Sequence, residues 1–146
     1  MIQRIQTVLL LLAAILLGLQ FVFPYAEAAS GLSGSFGDGV FSVNDRAGLQ
    51  INTGLAFALA VIAVFLYKNR PAQSRITTLA IFASTILAVS VATQCFILIR
   101  EAGSEVTNIH YQPGIALPAL SVLLLWIANR FIRKDEELVR SSDRLR

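Results

Sequence analysis

The side chains that carry most enzyme chemistry are scarce in this sequence: one histidine, His110, one cysteine, Cys95, and nine carboxylates among 146 residues. A lone cysteine makes neither an intrachain disulfide nor a Cys-x-x-Cys pair, so a quinone-linked thiol oxidoreductase is disfavoured. Cys95, set between Gln94 and Phe96, reads as a small core residue. Haem in a bilayer needs axial ligands, usually paired histidines, whereas His110 stands alone in a polar stretch and reads as solvated. The glycines of Gly34-Ser35-Phe36-Gly37-Asp38-Gly39 invite a phosphate cradle, but no Gly-Lys-Ser/Thr follows, so turn chemistry is the expectation. No serine–histidine–acid or paired-carboxylate arrangement can be drawn. The expectation is no catalytic residue, no metal ligand and no cofactor.

The densest chemistry lies at the end. RFIRKDEELVRSSDRLR, Arg130 to Arg146, has ten charged residues in seventeen, in a chain 14% charged and 55% hydrophobic overall. Soluble domains average about 25% charged residues. Burying this much apolar surface in water would need a core larger than such a length can build, so lipid is the natural solvent.

Four apolar stretches have the roughly 17–25 residues that a helix needs to cross a bilayer: about 5–23, 51–67, 76–99 and 115–132. None contains an acid, and strand-like alternation is missing, which leaves helices as the spanning form. The expected fold is an all-α polytopic membrane protein: one domain over 1–146, four transmembrane helices and a helical charged tail at 133–146. Lys and Arg concentrate in cytoplasmic segments. With the N-terminus inside, ten of the twelve cations fall on that side and only Arg46 and Arg100 on the other. Both termini are therefore expected in the cytoplasm. Phe21, Phe23, Tyr25, Tyr67, Tyr111, Trp126 and Phe131 read as interface anchors.

The start has a competing reading: Arg4, the apolar run to Phe23 and Ala26-Glu27-Ala28 resemble a secretory signal peptide cleaved after Ala28. That run exceeds the usual 7–15 residues, which favours a retained helix. In the first outer segment, Gly34–Phe36 and Val40–Val43 around Gly37-Asp38-Gly39 predict a short hairpin, which would have to rest on the helix ends or the other outer loop.

In lipid, small residues at four-residue spacing let helices approach closely. Ala80, Ser84, Ala88 and Ala92 form such a ladder on the third helix, and Gly18 and Gly54 offer partners on the first and second. The third helix is expected to be central. Asn52, Thr53, Thr85, Thr93 and Gln94 are candidates for hydrogen bonds between helices, and Asn52, Thr53, Thr85 and Gln94 for the lining of a pore.

Both ends carry a resemblance. MIQRIQTVLLLLAAI at the start and ANRFIRKDEELVRSSDRLR at the end resemble the small four-helix membrane proteins of Bacteroidota grouped as domain of unknown function 4293. The resemblance implies an inner-membrane protein of a Gram-negative bacterium, and it brings no catalytic residue to transfer. Anchoring requires only charge, so a tail this patterned suggests docking, with Arg130, Arg133, Lys134, Asp135, Glu136, Arg140, Asp143 and Arg144 as its polar face. The expected function is a non-enzymatic accessory or assembly subunit of a larger membrane complex; alternatives are a small oligomeric channel or carrier for a neutral solute, or a lipid- or quinone-binding subunit. Expected partners are membrane lipid and other membrane subunits or further copies of the chain, not nucleic acid.

Overall fold

The computed structural model describes residues 2–28, 40–102 and 109–143. Four helices run α1 (Ile2–Leu19), α2 (Ala47–Phe65), α3 (Arg70–Ala102) and α4 (Leu117–Asp143), with three short strands β1 (Ala26–Ala28), β2 (Val40–Phe41) and β3 (Ile109–Tyr111) between them. Helix ends follow local signals rather than the apolar runs. Pro24 bars α1 from continuing, and its last turn closes with the Phe23 N–H donating to the Leu19 carbonyl at 2.9 Å. Before α2, Ser42 and Asp45 form a capping box, so the helical region begins ahead of the hydrophobic stretch. At α3 the Asn69 side chain accepts from the Ala72 N–H at 3.3 Å, with Pro71 in the first turn where its missing N–H costs little. That cap places the start of α3 six residues before Ile76.

Each helix packs on two neighbours, α1 on α2 and α4, and α3 on α2 and α4. No helix is central; all four corners of a square contribute to one core. The residues turned inward recur at alternating spacings of three and four: Gln6, Leu10, Ala13, Leu17 and Gln20 on α1; Leu49, Thr53, Ala56, Ala60 and Ala63 on α2. Gln73, Thr77, Ala80, Ser84, Leu87 and Val91 do so on α3, and Ser121, Leu125, Ala128 and Ile132 on α4. This is the seven-residue repeat of antiparallel helices packed along their length. The expected ladder follows it only partway. Ala80 and Ser84 are buried, Ala88 is half-buried and Ala92 is exposed, because a strict step of four advances about 40° around a helix each time. A β-carbon on Gly18 would lie 3.4 Å from the Phe57 ring, whereas one on Gly54 would meet nothing within 4 Å.

The interior is made largely of alanine, glutamine, serine and threonine beside a few leucines, while Val8, Leu11, Ile15, Leu55, Ile62, Phe82, Ile86 and Leu123 face outward. A soluble bundle shows the opposite distribution, and these outward faces suit an apolar solvent. Three helical segments, Ala47–Lys68, Arg70–Ile97 and Pro113–Val139, are long and apolar enough to cross a membrane, and α1 contributes a shorter apolar helix, Ile5–Leu19.

One end of the bundle is closed by the strands, in the order β2-β1-β3 and all antiparallel. Ala26 pairs with both Phe41 and Tyr111. Of the expected hairpin, residues 34–39 lie outside the described residues. Val40–Phe41 is a strand, but its partner is Ala26–Glu27, and the second loop supplies the third strand. A two-stranded ribbon is marginal by itself, and a third strand widens the sheet across both connections at this end. Tyr25, expected as an interface anchor, turns inward instead: fully buried, it donates from its hydroxyl to Gln20 Oε1 at 3.1 Å and packs its ring 5.8 Å from that of Phe41. Burial pushes the phenol above its ordinary range, so it remains a neutral donor. The central strand contains Ala26 and Ala28, the two small residues of the signal-like pattern.

Candidate functional site at the tail end

At the opposite end, α3 and α4 are joined by side chains. Ser74 Oγ donates to Asn129 Oδ1 at 3.2 Å, and Asn129 Nδ2 donates to Thr78 Oγ1 at 3.2 Å. Ser74 and Thr78 are one turn apart on one face, so a single amide is held between two hydroxyls and fixes α4 in register against α3. Gln73 reaches the other neighbour, its Nε2 donating to the Ala63 carbonyl of α2 at 3.0 Å. Beyond this layer Arg70 Nε lies 3.2 Å from Asp135 Oδ2, both side chains partly shielded. The contact is ionic, and Asp135 Oδ2 has no hydrogen-bond partner among the described residues.

Most hydroxyls singled out in the sequence do not bridge helices. Thr85 and Thr93 donate to the carbonyls of Ile81 and Val89, four residues back in α3, each at 2.8 Å. A helical threonine has that carbonyl within reach whatever its neighbours offer. A longer amide can span the gap, and Asn52 Nδ2 donates to the Ala83 carbonyl at 3.3 Å. Thr53 is buried and Thr85 exposed, so the two do not line one passage through a single bundle.

Between α3 and α4 near the tail end lies a groove of about 760 Å³. Ile81, Phe82 and Trp126 form its apolar floor, Thr78 and Asn129 its polar wall, and Arg130, Arg133, Lys134 and Glu137 its rim. The Arg130 guanidinium lies 5.9 Å above the Trp126 ring centre, within cation–π range. A smaller groove of about 320 Å³, lined by Pro71, Ser74, Arg75 and Glu136, shares Arg133 and Glu137.

The expected docking residues thus separate into different settings. Arg130, Arg133 and Lys134 are exposed around the grooves, Asp135 is tied to Arg70, and Glu136 is half-buried. Arg140 and Asp143 lie on α4 with side chains outside the described set, and Arg144 lies outside the described residues. Of the apolar residues near the end of α4, Ile132 joins the core, whereas Leu138 and Val139 are 50% and 44% exposed. Sequence reasoning passed over Ser74, Thr78 and Asn129 as partners; each sits one position after a core-facing residue, Gln73, Thr77 or Ala128, outside the seven-residue core pattern. No group of three side chains suited to a metal occurs among the described residues, and His110 is exposed in β3 opposite Glu27.

Comparison with curated proteins and with solved structures finds no match. The pattern of one family covers residues 2–145, and with it the four helices, the small sheet and the grooved tail end; the chain belongs to the family described as domain of unknown function DUF4293.

Proposed function

We propose that this protein is a non-enzymatic accessory or assembly subunit of a larger complex in a bacterial inner membrane, with four crossings, both termini cytoplasmic and the end of α4 as its docking element. The carrying observation is that α4 stays helical to Asp143, two turns past the Arg70–Asp135 tie, and exposes Leu138 and Val139 among charged residues there. An apolar pair in a charged helical surface is the arrangement by which a helix seats in a groove of another protein. The excess of cations at this end supports the orientation. A non-catalytic role is consistent with an interior whose buried polar residues are amides and hydroxyls.

The test is a mild-detergent purification from native membranes of the full chain tagged at its N-terminus, beside a Leu138→Asp/Val139→Asp variant. A stoichiometric membrane-protein partner is expected with the wild type and lost with the variant. A homo-oligomer without partner, unaffected by the variant, overturns the docking role.

One observation favours a second reading, a passage or site for a small neutral solute. Gln20 Nε2, Thr53 Oγ1 and Ser84 Oγ are buried with no hydrogen-bond partner among the described residues, and such atoms are costly to leave unpaired. Solute flux in liposomes holding only this protein is its test.

A further inference from the structure

We infer that the larger groove between α3 and α4 is a site for one anionic phospholipid, its phosphate at the basic rim and an acyl chain along the apolar floor. The groove changes character along its length as a lipid does. Phe82 and Trp126 are 63% and 54% exposed on helices that qualify as membrane spans, so the floor faces the hydrocarbon. From Trp126 to Lys134 α4 rises about 12 Å, comparable to the roughly 5–8 Å of headgroup region plus the first acyl methylenes. Trp126 marks the level of the interface, where indole rings settle.

Charge supplies the selectivity. Three cations, Arg130, Arg133 and Lys134, stand around the rim against one carboxylate, Glu137. Among the described residues the ion pair is Arg70–Asp135, on the other side of α4, so Arg133 and Lys134 keep their charge for a ligand. The polar wall does not compete for the phosphate. The Thr78 hydroxyl already donates to the Ser74 carbonyl at 2.8 Å and accepts from Asn129. A basic pocket between membrane helices at a headgroup level is the chemistry that holds an anionic lipid in place of a zwitterionic one.

Delipidated full-length protein in neutral detergent, titrated with phosphatidylglycerol or phosphatidylcholine and read by native mass spectrometry, tests the site. One phosphatidylglycerol is expected to bind in preference to phosphatidylcholine. Arg133→Ala/Lys134→Ala should weaken it about 30-fold, about fivefold per basic residue near an anionic headgroup. Phe82→Ala should reduce retention of the same lipid with no change of charge, and Lys68→Ala, which does not line the groove, should leave binding unchanged. All these side chains are exposed, so the bundle tolerates their loss. Equal binding of the two lipids, unchanged binding in the double variant, or an equal loss with Lys68→Ala overturns the site.

Discussion

The two ends of the bundle are closed by different means. At the sheet end the main chain does the work: three strands exchange backbone hydrogen bonds, and Tyr25 and Phe41 are buried beneath them. At the tail end the ties are side chains, Ser74 to Asn129 to Thr78 and Arg70 to Asp135, with open grooves and charge around them. Backbone pairing satisfies the polar groups that it uses. Side-chain ties are spaced apart, and surface between them stays accessible. The contrast is between an end joined by main-chain pairing and an end joined by separate side-chain ties.

The largest effect should come from breaking the closed end. A β-carbon on Gly114 would lie 2.1 Å from the Pro24 carbonyl oxygen, backbone that cannot swing aside. Gly114→Ala should therefore destabilise the protein by about 3 kcal/mol or more, the upper range for overpacking, seen as a lower unfolding midpoint in mild detergent. A change of under 1 kcal/mol there would mean that the two loops at this end are not held together as described.

At the tail end, Asn129→Leu removes both bonds of the α3–α4 clamp. A loss of about 1–2 kcal/mol is expected, since hydrogen bonds between membrane helices average near 0.6 kcal/mol each and Ser74 and Thr78 lose their partner. Unfolding in graded denaturing detergent reads this directly. Stability equal to wild type would sink the claim that Asn129 sets the register. Smallest is Arg70→Ala: the pair is partly shielded, so about 0.5–1 kcal/mol is expected, shrinking as salt is raised. An effect insensitive to salt would point to the packing of the arginine stem instead.

Legibility divided along similar lines. The apolar stretches were readable because span length is a local property of the chain, and three of them are helices long enough to cross. The inward faces were not. In water a helix shows its core as an apolar stripe, but lipid makes both faces apolar, and the remaining cue is small and polar residues at seven-residue spacing. The Ala80-Ser84-Ala88-Ala92 series satisfied a simple small-residue rule and still curves out of the interface. Asn129 carried no mark to distinguish it from its neighbours in the tail motif until Ser74 and Thr78 were placed opposite.

By itself, then, the sequence determined the solvent, the helices and the charged end, because composition, run length and caps such as Asn69 act over a few residues. Only the tertiary structure decided that Ala26–Ala28 is the centre of a sheet, since its partners at Phe41 and Tyr111 lie 15 and 85 residues away along the chain. It also decided which tail charges are tied and which stand open around a groove. Strand pairing and groove walls join distant residues, and three-residue strands carry too little local preference to announce themselves.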